Sequence, residues 1–200
     1  NGVKGITEIV LLDGITEIPN YAFFGAGATK ITIPASVTKI GAGAFQYSSI
    51  TSVEIPAGVT EIGNYAFSGC SDLACITFAD DSELELLGTH AFEGTAISEI
   101  TLPKKITKLG STVYIASYTF KDCANLSSIT FLGEMESLNG YAFQNCTSLK
   151  SFTIPDTVRY LGSYVFAGSG LESIVIPGKT LTSLYESSTS TTYSSYTFQG

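Results

Sequence analysis

Few residues in this sequence could take part in catalysis or metal binding. One of them is the single histidine, His90. A catalytic triad or a histidine metal site would need this imidazole. The sequence holds no G-x-S-x-G elbow, no H-E-x-x-H pair and no complete phosphate-binding loop. His90 stands two residues before Phe92, a distance at which tyrosine precedes six other phenylalanines: Tyr21, Tyr65, Tyr118, Tyr141, Tyr164 and Tyr196. This register favours aromatic stacking over catalysis.

The four cysteines do not form a metal-binding pattern, because no C-x-x-C pair is present. Cys70, Cys123 and Cys146 each follow a phenylalanine by three residues. Equivalent segments carry other small residues there: Ala26, Ser48, Thr95 and Ser169. A position restricted to small side chains is a packing position, which favours free buried thiols. A disulfide between Cys123 and Cys146 stays open as the alternative, and Cys75 is expected to be partly exposed.

Acidic residues could supply general acid and base catalysis or a calcium site. Glu54 and Glu99 are expected on one sheet face, two strands and one column apart, near or beyond the roughly 10 Å limit for paired glycosidase carboxylates. A second group forms an acidic insertion at residues 80–85. Its spacing is not that of an EF-hand loop, so a solvated charged turn is favoured over calcium. Neither set of acidic residues therefore indicates a catalytic site.

The composition indicates a folded chain whose surface is rich in hydroxyl groups. Charged residues make up 14% of it, against roughly 25% in a typical soluble domain, whereas serine and threonine number 48. The net charge of −8 disfavours binding to nucleic acid or anionic lipid. A hydrophobic share of 44% is too high for disorder, yet no apolar run approaches the roughly 20 residues of a membrane-spanning helix. We therefore expect no nucleic-acid partner and no membrane insertion by this segment.

An internal repeat must position all of these residues. Its marker is a phenylalanine that recurs eight times: Phe23, Phe45, Phe67, Phe92, Phe120, Phe143, Phe166 and Phe198. Successive gaps of 22, 22, 25, 28, 23, 23 and 32 residues describe a unit of 22 or 23 residues with occasional insertions. The cleanest copy begins at Ile50, and the general form is LxxLxLPxxVxxIGxYAFxxC. Because no copy can bury its apolar residues alone, the copies must stack, with phenylalanine forming a continuous buried column.

Each part of the unit predicts a local structure. The alternating pair Val53 and Ile55 is typical of a short strand with two inward side chains. Pro56 ends the strand because it has no N–H to donate, and Gly63 permits a sharp bend. The Tyr-Ala-Phe segment has the spacing of one or two helical turns. The expected fold class is an α/β repeat solenoid with a parallel β-sheet face and short strands or helical turns on the opposite side.

The recurring LP, IG and YAF, with the cysteine that follows, closely resemble the BspA-like leucine-rich repeats, the treponemal type, over residues 6–198. The resemblance implies a curved right-handed leucine-rich repeat, a cell-surface or extracellular location, and adhesion to host proteins or other cells. We expect residues 1–200 to form a single domain of about eight units. The chain ends two residues after Phe198 without a polar cap, so we expect this domain to be part of a longer chain.

Two surfaces are predicted to contact a partner. The strand face offers hydroxyl groups at its outward positions, among them Thr77, Thr101, Thr130 and Thr153. Two insertions, at residues 111–117 and 185–195, are expected at the same edge of the solenoid and are rich in Ser and Thr, a composition that binds adaptably. Their tyrosines are Tyr114, Tyr185 and Tyr193.

These observations predict a non-enzymatic interaction module that adheres to a host or bacterial surface protein or to a glycan. The alternative is a rigid spacer in a larger surface protein whose binding domain lies elsewhere. A hydrolase, the third hypothesis, would need convergent carboxylates or a Ser-His pair, and the repeat register argues against both. No cofactor and no metal are predicted.

Overall fold

The computed structural model describes residues 5–107 and 117–177, which form stacked coils with two columns of short parallel strands. We call each column a ladder; the first is divided into three separately hydrogen-bonded sheets and the second into two. The first ladder, the strand face, contains β1 (Glu8–Val10), β3 (Lys30–Thr32), β5 (Ser52–Ile55), β7 (Cys75–Phe78), β9 (Glu99–Leu102), β10 (Ser128–Phe131), β12 (Ser151–Thr153) and β14 (Ser173–Val175). The second ladder contains β2 (Glu17–Ile18), β4 (Lys39–Ile40), β6 (Glu61–Ile62), β8 (Leu86–Leu87), β11 (Ser137–Leu138) and β13 (Tyr160–Leu161). The predicted parallel solenoid with short strands opposite the sheet face is confirmed.

The strand face follows the repeat register. Val53 in β5 lies opposite Ile76 in β7, and Ile100 in β9 lies opposite Ile129 in β10. Within β5 the inward Val53 and Ile55 are buried, whereas Glu54 between them is exposed. The two-residue alternation seen in the sequence therefore separates core side chains from a solvent-facing row.

The phenylalanine column forms the core, as predicted. Adjacent rings from Phe23 to Phe166 stack with centroids 5.2–5.7 Å apart. Phe45, Phe67, Phe92, Phe120 and Phe143 have no exposed surface. Phe198 lies outside the described residues. The repeat thus produces one continuous core instead of a separate core for each copy.

The helical turns expected in the Tyr-Ala-Phe segments, and with them the α/β class, are not confirmed, because the described ranges contain no helix. Each segment is a run of turns in which backbone donors alternate. The N–H of Phe24 donates to the carbonyl of Tyr21 in its own coil at 3.2 Å, whereas the N–H of Phe23 donates to Ala44 in the next coil at 2.7 Å. A helix would direct every donor along its own segment.

Two residues in each of these turn segments adopt a left-handed backbone, four positions apart. In the third coil they are Tyr65 (φ 59°) and Gly69 (φ 70°), and in the fourth they are His90 (φ 58°) and Gly94 (φ 67°). L-residues rarely adopt this conformation. Here it turns alternate N–H groups toward the next coil, and the hydrogen bonds between coils stabilise it.

The glycine of the IG pair is required by close packing between coils. A Cβ on Gly63 would lie 2.7 Å from the backbone nitrogen of Ala42, and one on Gly88 would lie 2.4 Å from that of Asn64. Neither glycine has a left-handed φ. The sharp bend expected from the sequence is therefore not why glycine occurs here. Glycine is required because there is no room for a side chain between the coils.

Candidate interaction surface

The strand face brings the predicted threonines into one exposed row. Thr101 lies opposite Thr130, and Thr77 lies opposite Glu54 on the neighbouring strand. Thr153 continues the row in β12, where it lies opposite Val175. All of these side chains point to solvent. The hydroxyl groups of these threonines are exposed and can hydrogen-bond a partner.

A groove of about 890 Å³ lies on this face beside β7, β9 and β10. Thr77, Thr101 and Thr130 line its floor. Residues 79–83 form one wall, and residues 103–105 contribute to the lining after the end of β9. The groove therefore crosses three adjacent coils, and polar and apolar atoms share its lining about equally.

Lys105 forms ion pairs with two carboxylates of the acidic insertion. Its ammonium group donates to the Glu83 carboxylate and lies 3.7 Å from a carboxylate oxygen of Glu85. The hydrogen bond with Glu83 raises the pKa of Lys105. In residues 5–107 and 117–177, no three His, Cys, Asp or Glu side chains are grouped to hold a metal ion. Asp80 and Asp81 lie in an exposed turn.

The sequence did not single out the basic residues beside this groove. Lys105 follows Glu83 by 22 residues, which is one repeat period, so stacking was bound to place them on adjacent coils. Lys104 is exposed beside it and lines the groove. Opposite charges one period apart are the signal that could have located them.

The carboxylates Glu54 and Glu99 lie on strands that are not direct neighbours. Strand β7 lies between their strands, because β5 pairs with β7 and β9 packs on the other side of β7. Two strand spacings of about 4.8 Å place them roughly 10 Å apart before the column offset is added.

The lone imidazole is a stacking residue, as predicted. His90 lies between Tyr65 and Tyr118, with ring centroids 4.4 Å from each and planes within 12° of parallel. Its Nδ1 bonds the Glu93 carboxylate at 2.6 Å, and Lys121 donates to the other oxygen of Glu93 at 2.9 Å. Both ring faces are therefore covered and one ring nitrogen is engaged.

The contacts around Glu93 lower the pKa of its carboxyl group. Burial opposes ionisation, but the hydrogen bonds from His90 and Lys121 outweigh it and lower the pKa of Glu93. The same contact raises the pKa of Lys121. The cluster joins two adjacent coils and has a structural role.

Three of the thiols belong to the core. Cys70, Cys123 and Cys146 are buried, and all four cysteines are free. The thiols of Cys123 and Cys146 donate to the carbonyl oxygens of Phe92 and Phe120 at 3.0 and 3.1 Å, each in the preceding coil. Burial raises the pKa of Cys123 to about 11. These thiols stay protonated near neutral pH and are poor nucleophiles.

The predicted contacts at Tyr114, Tyr185 and Tyr193 lie outside the described residues. The candidate surface therefore rests on the strand-face threonines and on the groove beside them. In the part of the chain that the structure describes, no helix is long and apolar enough to cross a membrane.

The fold and its repeats can now be compared with known proteins. A family model described as the BspA type leucine rich repeat region (6 copies) matches residues 2–115 and 113–199. The chain belongs to this family. This BspA-type repeat accounts for the resemblance carried by the LP, IG and YAF positions. The sequence matches none of the curated proteins with which it was compared.

Solved structures of related proteins share the BspA-type solenoid. A leucine-rich repeat protein from Eubacterium ventriosum is 25% identical with a TM-score of 0.72, and the match covers 86% of this chain and 45% of that one. One from Bacteroides ovatus is 26% identical with a TM-score of 0.65, over 86% and 52%. A leucine rich cell surface protein from Faecalibacterium prausnitzii is 25% identical with a TM-score of 0.59, over 86% and 55%. The chain spans about half the length of these structures.

Proposed function

We propose that this BspA-type repeat is a non-enzymatic adhesion module at the cell surface or outside the cell, which binds a host or bacterial surface protein or a glycan through its strand face. The observation that carries the proposal is the groove of about 890 Å³, with Thr77, Thr101 and Thr130 on its floor. Exposed hydroxyl groups on a rigid ladder can hydrogen-bond a partner without reorganising the scaffold.

The residues that could have supported catalysis are used by the scaffold instead. His90 is enclosed between tyrosines, the buried thiols are protonated, and Glu54 and Glu99 lie on strands separated by β7. Membership of a repeat family and the cell-surface description of the Faecalibacterium relative also support the proposal. A location at the bacterial surface is part of what we propose.

The test is a double substitution, Thr101→Arg with Thr130→Arg, which places two large cations on the groove floor. Both positions are exposed, so folding should be unaffected. We expect binding to purified host matrix proteins or surface proteins to weaken by at least about tenfold, because water would no longer be excluded at the contact. Surface plasmon resonance of parent and variant measures this.

The matched control is Thr16→Arg with Ser71→Arg, which adds the same charge at exposed positions outside the groove. It should bind as the parent does. Equal binding by the groove variant would contradict the proposed surface. Binding by the parent to nothing in these panels would favour the second candidate, a rigid spacer, which the uninterrupted phenylalanine column also suits.

The tyrosines of the insertions remain part of the proposal. Removal of residues 185–195, with Tyr185 and Tyr193, should weaken adhesion and leave the described coils folded. Tyr114→Ser tests the other insertion in the same assay. Unchanged adhesion in both variants would restrict the contact surface to the strand face.

A further inference from the structure

Three exposed aromatic side chains cluster on the turn side of the first two coils, away from the strand face. Phe24 lies edge-to-face with Tyr47 at 5.5 Å, and its centroid lies 6.2 Å from that of Tyr21. Their exposed fractions are 59% for Tyr21, 48% for Phe24 and 59% for Tyr47. We call these three residues the aromatic platform. Adjacent exposed aromatics of this kind mark binding sites more often than isolated ones.

Two members of the platform depart from the repeat. The position of Phe24 is mostly polar in the other coils: Gln46, Ser68, Glu93, Lys121, Gln144 and Ala167. The position of Tyr47 is otherwise glycine, aspartate or asparagine: Gly25, Gly69, Gly94, Asp122, Asn145 and Gly168. The repeat therefore does not require an aromatic residue at either position.

Tyr47 also adopts a costly backbone conformation. Its φ is 59°, in a column where most coils use glycine or a short polar residue. Its ring lies over Gly69, where a Cβ would be 2.3 Å from a ring carbon. Tyr47 belongs to the second coil and has a stacked coil on each side. The exposed part of its side chain is therefore on the lateral surface of the solenoid and not at an end of the stack. The N–H of Tyr47 donates to the Ser68 carbonyl at 2.9 Å, as this position does in the other coils, so the departure from the repeat is the exposed ring and not the backbone. An exposed aromatic ring that the repeat does not require points to a contact with a ligand.

The surroundings of the platform define the chemistry of its ligand. The turn segments that carry the platform or stack directly beside it, residues 20–26, 42–48 and 64–70, contain no charged side chain, and the nearest acidic residue along the third of them is Asp72. The Gln46 amide lies beside the Tyr21 ring, since both approach Gly43. A neutral sugar presents C–H groups that pack on aromatic faces and hydroxyl groups that hydrogen-bond amides. A sulphated or sialylated glycan would be repelled by a chain of net charge −8.

We propose that Tyr21, Phe24 and Tyr47 bind a neutral hexose glycan, at a site separate from the strand face. The decisive variant is Phe24→Ser with Tyr47→Gly, because it installs the residues that the third coil carries at the same positions, Ser68 and Gly69. It removes the platform while restoring the repeat. Its melting temperature should stay within about 3 °C of the parent or rise, since the left-handed tyrosine is gone.

The assay is isothermal titration with neutral oligosaccharides of mannose, glucose and galactose, beside sialylated and sulphated ones. We expect saturable binding of a neutral oligosaccharide by the parent, and at least tenfold weaker binding by the double variant. Leu86→Ser, which removes an exposed apolar side chain outside the platform and copies Ser137 of another coil, should bind as the parent. The strand-face variant Thr101→Arg with Thr130→Arg should also keep this affinity, which separates the two proposals.

Three outcomes would overturn the inference. They are equal affinity of the parent and the platform variant, tighter binding of the acidic oligosaccharides, and no neutral oligosaccharide bound by the parent at millimolar concentration. Binding of a proline-rich peptide at the platform, with none of a sugar, would assign these rings to a different class of partner.

Discussion

The two sides of each coil use different interactions and accept different residues. On the strand face, parallel pairing holds the backbone, and the central outward position accepts chemically unrelated side chains such as Thr32, Glu54 and Val175. On the turn side, left-handed residues and close contacts between coils restrict the residues at each position, and phenylalanine recurs in every copy. We therefore expect substitutions to cost more stability on the turn side and in the core than on the strand face.

Thiol reactivity gives the largest contrast between the sides. Cys75 is exposed on the strand face, whereas Cys70, Cys123 and Cys146 are buried behind the turns. We expect one thiol per native chain to react with a coloured aromatic disulfide reagent at pH 8. The buried three should react at least about 10,000-fold more slowly, because thiolate formation is suppressed and the coils must open first.

In guanidinium chloride all four thiols should react at the same rate, and Cys75→Ser should remove the fast phase from the native protein. Rapid labelling of a second thiol in the native chain would show that the coils are not closed over the sulfur atoms. A Cys123–Cys146 disulfide in non-reducing mass spectrometry would restore the alternative left open by the sequence.

Core substitution gives the next largest contrast. Phe92→Ala should lower the free energy of unfolding by about 3–5 kcal/mol, because the cavity would interrupt the stack between Phe67 and Phe120. Thr101→Ala, on the exposed strand face, should change it by less than about 0.5 kcal/mol. Urea denaturation followed by far-UV circular dichroism measures both. Similar losses in the two variants would contradict the division between the sides.

The smallest effect concerns the ion pairs of the turn side and their pH dependence. Because the folded pKa of Glu93 lies below its ordinary 4.5, its stabilising contribution is present above pH 4.5 and is lost as the pH falls through the folded pKa. Glu93→Gln should lower the free energy of unfolding by about 1 kcal/mol at pH 7. The difference from the parent should shrink in acid.

Paired urea titrations at pH 7 and pH 3 test this effect, with Glu99→Gln on the exposed strand face as the control carboxylate. The control should be neutral at both values. A Glu93→Gln deficit that is equal at pH 7 and pH 3 would mean that packing, and not ionisation, accounts for the loss.

The sequence was enough to predict the surroundings of positions that recur in many copies of the repeat. The phenylalanine column, the small thiol position and the stacked imidazole all follow from register, because stacking places equivalent residues in equivalent surroundings. The strand-face row, with Thr101 opposite Thr130, follows from the same rule.

The turn conformation could not be predicted in the same way. A run of i to i+3 turns and a short helix give nearly the same apolar spacing, so the YAF pattern alone does not separate them. The left-handed tyrosines depend on hydrogen bonds to the next coil, as at Tyr65 N–H to Thr89. The turn and helix propensities of single residues do not include the effect of a neighbouring coil. The close approach at Gly63 was missed for the same reason.

The direction of these backbone bonds has an electrostatic consequence. In the turn segments the N–H groups of Tyr65, Phe67 and Gly69 all point to the following coil, whereas in the second ladder those of Gly63 and Gly88 point to the preceding one. Aligned peptide units sum to a dipole in a long helix. Here the two columns run in opposite senses and oppose each other, so the solenoid can lengthen without accumulating the opposite partial charges that a helix places at its two ends.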